Sequence, residues 1–253
     1  MMNLTPTVKQ LLIINAIFYV CTNFLGNADF NYKLFSLYYY QNPDFRFWQP
    51  LTHMFMHAPL PNFSHILFNM FGLYSFGSML EQLWGGKKFL FFYVSCGLGA
   101  ALIHSLVNYY HFNQGLNILI ENGFQKTEIF SILNEGKFNL RWQEILTKSD
   151  FNNFTNGYVG TAVGASGAIY GIIVAFAFMF PNAELALLFI PVPVKAKYFV
   201  PALVIFDLFS GVTGFSIFGG GNVAHFAHVG GAFFGLIMMW FWKKNQFNDR
   251  RWN

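Results

Sequence analysis

The sequence predicts an all-α membrane protein built as a six-helix bundle, and three observations carry that prediction. Hydrophobic residues make up 55% of the 253-residue chain and charged residues only 10%, where soluble domains run nearer a quarter charged. The apolar residues fall in continuous runs of bilayer-crossing length rather than in the alternating pattern of a barrel strand. Backbone polar groups in hydrocarbon must be satisfied internally, so such runs can only be helices.

Six spans are expected, at roughly Val8–Leu25, Phe63–Leu83, Phe89–Tyr109, Val159–Phe180, Phe199–Phe218 and Val223–Trp242. Leu185–Val194 is apolar but short and broken by Pro191 and Pro193, so it reads as a connection. The first span lacks a small-residue cleavage site and is followed by others, so it reads as a retained helix rather than a signal peptide. The chain is expected to form a single membrane domain over residues 1–253.

Two segments lie outside the spans. Residues 26–62 carry Phe45-Arg46-Phe47-Trp48 and read as a first loop in the bilayer interface, where aromatic rings favour the headgroup level. Residues 111–158 are too long for a bare loop. Short helical periodicities at Thr127–Leu133 and Arg141–Lys148 make them an extramembrane helical insertion or a mobile lid between spans three and four.

Lys9, Lys87, Lys88, Lys195, Lys197, Lys243, Lys244, Arg250 and Arg251 cluster at span ends on one side. Under the positive-inside rule both termini are then cytoplasmic, and the expected location is a bacterial inner membrane. The net charge of +4 follows from this topology and calls for no nucleic-acid partner; the bilayer is the partner the composition demands.

Polar side chains inside a span are costly, which makes them candidates for function. They are Ser64, His65, Asn69, Ser75, Ser78, Glu81, His104, Ser166, Asp207, His225 and His228. His65 and Asn69 are four residues apart and share a helix face. They can cross-bond helices or donate hydrogen bonds to a developing oxyanion. Ser166 stands between Gly164 and Gly167. A helix beginning near Ser166 would leave its N–H without an intrahelical acceptor and free to bind an anion.

Gly167 and Gly171 admit close helix approach. Ala224, His228, Gly231 and Gly235 form a matching stripe on the sixth span, with a small-x-x-x-small motif at Gly231–Gly235. Packing the two faces brings His228 to Ser166. Tyr170, one turn after the serine, is placed to hold the imidazole. A serine needs a base to become nucleophilic, and a buried imidazole rests neutral, as a base must. No carboxylate is tied to His228 by the sequence; Asp207 is the one deep in a late span.

Other chemistries fit less well. A zinc peptidase calls for His-Glu-x-x-His; His53 and His57 are four apart without the glutamate. An aspartyl enzyme needs two facing aspartates. A transporter or channel would show span repeats or rings of charge. Cys21 and Cys96 read as buried packing thiols.

The Gly164-x-Ser166-Gly167 motif with Tyr170, the run His65 to Asn69, and Ala227-His228 with Gly231 and Gly235 together resemble the rhomboid family of intramembrane serine proteases. The resemblance covers spans two to six. It implies Ser166 as nucleophile, His228 rather than His225 as base, and an oxyanion hole of His65, Asn69 and the Ser166 N–H. It also implies a structural role for Glu81, transmembrane protein substrates, and no metal or cofactor. The alternative is a catalytically inactive rhomboid-like binder of membrane proteins. Gln49 after Trp48 departs from the family's Trp-Arg pair, and the resemblance assigns no role to 111–158; gating or docking of substrate is the expectation there. The sequence names neither a particular substrate nor an oligomeric state.

Overall fold

A computed structural model describes residues 3–25, 27–187, 190–215 and 225–246. Gly26, Val223, Ala224, Arg250 and Arg251, together with positions 188–189 and 216–218 of the segments named above, lie outside the described residues. Among the described residues, four helices are long and apolar enough to cross a membrane: Pro6–Phe24, Gly86–Glu121, Ala196–Thr213 and His225–Lys243. Their outward faces carry large apolar side chains such as Ile17, Phe91, Ile205 and Leu236. Apolar surface of that extent is tolerated in lipid rather than in water.

Helix α1 (Pro6–Phe24) starts with proline in its first turn, where the missing N–H costs nothing. Its N-terminal donors are satisfied from a distance by Glu81. One carboxylate oxygen accepts from Thr5 Oγ1 and, at 2.8 Å, from the Val8 N–H; the other accepts from the Thr7 N–H at 2.9 Å. Short helices α2 (Ala28–Phe35) and α3 (Gln49–Thr52) shape the first loop.

The expected second span is three pieces. Helix α4 (Phe63–Gly72) passes through a wider π-helical turn at Leu73–Gly77 into α5 (Ser78–Trp84). Helix α6 (Gly86–Glu121) runs twelve residues beyond the expected end at Tyr109. Hydropathy falls there, but no proline interrupts the helix, so the lipid boundary and the helix end are separate events. Gly115, the glycine in that extension, is where the Phe154 ring packs against the helix.

Residues 111–158 are helical and packed. The end of α6, α7 (Lys126–Asn134), α8 (Trp142–Ile145) and α9 (Lys148–Val159) enclose Phe112, Leu116, Leu119, Ile129, Leu133, Trp142, Phe154 and Tyr158. Phe112 and Phe154 stack with ring centres 5.1 Å apart. Thr147 caps α9 reciprocally with Asp150: its hydroxyl accepts from the Asp150 N–H at 3.1 Å and donates to the carboxylate at 2.6 Å. The unit is pinned to the first loop, because the Tyr158 hydroxyl donates to Gln41 O and the Asn42 amide donates to Tyr158 O.

The expected fourth span begins late. Residues 160–165 are not helical, and α10 spans only Ser166–Met179. Ala162 is held in an antiparallel bridge to Leu37, with N–H to O distances of 3.0 Å both ways. Gly164 adopts φ of +123°, which a side chain would resist. The proline-broken segment after α10 is an antiparallel hairpin, β1 (Glu184–Leu187) and β2 (Ile190–Lys195), a small strand element the all-helical expectation lacked. Helix α11 (Ala196–Thr213) ends at Gly214 in the left-handed conformation, earlier than expected. Helix α12 (His225–Gln246) completes the described chain.

Helices α6, α10 and α12 meet along glycines. A β-carbon on Gly171 would lie 2.4 Å from Cys96 Sγ, and one on Gly235 would lie 2.7 Å from Gly171 Cα. These close approaches sit above a core of Phe89, Phe92, Tyr93, Ile172, Met239 and Trp242.

Candidate active site

The turn Gly160–Ala165 delivers Ser166 as the first residue of α10. The Gly164 N–H donates to His53 O at 2.9 Å, fixing the turn to the first loop. The Ser166 N–H therefore lies in the helix's first turn, where amide groups have no intrahelical acceptor. Ser166 as a residue is partly exposed.

Across from it, Gly231 on α12 packs on the backbone of Gly167. His228 lies one turn before Gly231 and so faces the start of α10. The distance from Ser166 Oγ to His228 Nε2 is 2.8 Å. The Tyr170 ring stacks on the imidazole, with centres 4.3 Å apart and planes 10° from parallel. The His228 side chain is 14% exposed, so the pair is sheltered but open on one side.

The sequence left His228 without an acidic neighbour, and the structure corrects this. Asp207 on α11 is buried, and its Oδ1 lies 3.2 Å from His228 Nδ1 and 2.5 Å from His225 Nδ1. The Tyr170 hydroxyl donates to its other oxygen. Two signals were available: a carboxylate in an apolar span needs donors, and His225 and His228, three apart on one helix, can reach the same acceptor.

His65 is on the opposite side of the serine turn. Its Nδ1 accepts from the Ala58 N–H at 3.0 Å. In the neutral ring the proton is then on Nε2, which lies close to where a Gly164 side chain would project. Asn69 is buried; its amide donates to His65 O at 2.7 Å, and its Oδ1 has no protein partner. Ser64 donates to Asn62, Asn108 donates to His104, and Glu81 caps α1; none of these joins the cluster. His53 and His57 lie in the first loop, where burial holds their imidazoles down to about 4 and about 3. Each is engaged in the loop, His53 with Gln49 O and His57 with Asn15. Asp207, His225 and His228 each offer a ligand atom within 4.8 Å of the others. Hydrogen bonds to one carboxylate already account for that closeness.

A multi-pass helical membrane protein with a sheltered serine–histidine pair is the class this fold and site define. The Rhomboid domain profile matches residues 44–120 and 142–245, and the chain belongs to the rhomboid family. It is 24% identical over 182 residues to Rhomboid protein 1, mitochondrial, of Saccharomyces cerevisiae, covering 72% of this chain and 39% of that protein. It is 28% identical over 239 residues to an uncharacterized mitochondrial rhomboid protein of Schizosaccharomyces pombe, covering 84% and 54%. It is 28% identical over 140 residues to the mitochondrial presenilin-associated rhomboid-like protein of Rattus norvegicus, covering 53% and 36%. The chain thus spans about a third to a half of the length of these relatives. The profile leaves out 121–141, which holds all of α7 and its flanks.

Proposed function

We propose that the chain is an intramembrane serine endopeptidase that cleaves transmembrane or membrane-proximal segments of membrane proteins. The observation that carries this reading is the 2.8 Å separation of Ser166 Oγ and His228 Nε2 at the meeting of two glycine faces. In this reading His228 takes the serine proton as the hydroxyl attacks the peptide carbonyl, then returns it to the leaving amine. The oxyanion is held by the Ser166 N–H and by His65 Nε2–H, with Asn69 joining once its amide turns from His65 O. Tyr170 fixes the imidazole plane. Gly164, Gly167, Gly231 and Gly235 set the approach of the two helices.

The proposed topology has six crossing segments, with the α4–α5 pair and α10 completing the four longer helices. Both termini lie on the same, cytoplasm-facing side, as the charge pattern suggests, and the membrane proposed is a bacterial cell membrane. The relatives named above are mitochondrial, and fractionation of the native host distinguishes the two membranes. Helices of 111–158 stand outside the bilayer and dock substrate; their packed core and ties to the first loop favour a fixed platform over a mobile lid.

The test is incubation with single-span membrane proteins in proteoliposomes, wild type against Ser166→Ala, with mass spectrometry of fragments and fluorophosphonate labelling. Labelling and cleavage lost in Ser166→Ala support the reading; a wild type that neither labels nor cleaves rejects it. Deletion of Gln114–Phe151 with unchanged cleavage of every substrate rejects the docking role.

A further inference from the structure

We infer that Asp207 is a positioning residue that makes the serine–histidine pair a three-member set, with its carboxylate fixing which nitrogen of His228 carries the proton. The inference rests on the peptidase reading above and deepens it. Asp207 Oδ1 stands 3.2 Å from His228 Nδ1, on the far side of the ring from Ser166 Oγ, which is 2.8 Å from Nε2. A carboxylate only accepts, so the His228 nitrogen facing it is the N–H. In the neutral ring Nε2 is then bare and pointed at the serine hydroxyl, the state a general base requires. When Nε2 takes the serine proton, both ring nitrogens are protonated and the positive ring faces a carboxylate.

The rest of the cluster holds that carboxylate still. The Tyr170 hydroxyl donates to the oxygen that His228 does not use, and its ring stacks on His228, so one side chain fixes both partners. His225 Nδ1 lies 2.5 Å from Oδ1 and shares it with His228. The other histidines on neighbouring helices, His65 on α4 and His104 on α6, carry no negative charge, and Asp207 is the carboxylate hydrogen-bonded to His228. Three donors around one buried carboxylate also explain how a charge is kept within α11.

A structural ion pair between Asp207 and His225, with His228 merely nearby, is the competing account, and the two differ in what they predict. The full chain in proteoliposomes is labelled with a fluorophosphonate, and the probe affinity and first-order inactivation rate are measured separately. Asp207→Asn is expected to lower the inactivation rate at least about 10-fold with little change in probe affinity. The loss should fall short of the ~10⁴-fold seen when a serine protease triad loses its aspartate, because Oδ1 is shared. Asp207→Glu, which keeps the charge, should retain more rate than Asp207→Asn. His225→Gln should cost less than Asp207→Asn, since it frees Oδ1 for His228; the reverse order overturns the inference. Histidine ¹⁵N spectra of wild type should show His228 protonated at Nδ1 and bare at Nε2. The opposite tautomer overturns the inference even if Asp207→Asn does not fold. A wild-type rate in a folded Asp207→Asn overturns the inference and leaves the peptidase reading standing. An unlabelled wild type overturns the peptidase reading itself.

Discussion

A β-carbon placed on Gly231 would sit 1.8 Å from the carbonyl oxygen of Gly167. The obstacle is backbone, which cannot rotate away as a side chain can. Gly231→Ala must therefore push α12 off α10, and His228 rides on α12. Overpacking commonly costs about 1–3 kcal/mol, and this contact should lie at or above the top of that range. Loss of fluorophosphonate labelling together with a lower melting temperature in detergent is the expected result. Gly235→Ala meets Gly171 at 2.7 Å and should be the milder of the two.

Glu81 should be worth more than an ordinary helix residue, because it serves the start of a helix more than seventy positions earlier. It accepts from Thr5 Oγ1 and from the N–H groups of Thr7 and Val8. Hydrogen bonds to a charged group contribute about 1.5–3 kcal/mol. Glu81→Ala is expected to lower unfolding free energy by about 2 kcal/mol or more, and Thr5→Ala by about 1 kcal/mol. Because the two share one contact, the double variant should cost less than the sum. Chemical denaturation of the purified protein reads all three.

Gln49 occupies the position where the family resemblance places arginine, and it is fully buried. Its amide nitrogen donates to Lys33 O and Asp44 O, and its oxygen accepts from the Tyr38 N–H. Trp48 beside it donates to Leu34 O. Gln49→Leu strands these main-chain groups at about 1–3 kcal/mol for each that stays dry. The first loop should then exchange amide hydrogens faster over residues 33–49, with the helices unaffected. Equal protection in variant and wild type would count against this role.

Stability should fall on acidification. Burial lowers His53 to about 4 and His57 to about 3 from an ordinary value near 6.5. Above pH 6.5 both states are neutral and the full stability is present. As pH drops below 6.5 the unfolded chain takes up protons that the folded one refuses, so stability is lost progressively down to the folded values. The melting temperature should decline between pH 6.5 and 4, and His53→Asn should flatten the slope. An unchanged slope in that variant would remove His53 from the account.

The elements legible in the sequence were those set by composition and by glycine spacing. Long apolar runs gave α1, α6, α11 and α12. The faces Gly167–Gly171 and Gly231–Gly235 anticipated the helix contact that brings His228 to Ser166 and stacks Tyr170 on it. Boundaries failed where hydropathy and helix geometry part company: α6 continues past Tyr109 through polar residues, and α10 starts late because Leu37 captures Ala162 in extended form. The partners of Glu81 were not legible, since they lie more than seventy positions away and no local pattern ties a carboxylate to a donor across the bundle; for Asp207 the sequence signalled a need for donors and a histidine pair able to share an acceptor, but not that the two meet. Gln49 read as a departure from a motif because its three acceptor and donor contacts are all main-chain groups, which a sequence does not distinguish.

Helix α6 contributes Cys96 and Ala100 to the glycine seam and, farther along, Phe112, Leu116 and Leu119 to the aromatic unit of residues 111–158. It is one unbroken rod of 36 residues, about 54 Å long at 1.5 Å per residue. Anything that tilts the unit of residues 111–158, whether a docking protein, an antibody or a tether, must therefore either lean on the seam between Gly167 and Gly231 or bend the shaft, so a handle on that unit is mechanically geared to the place where the serine and histidine meet.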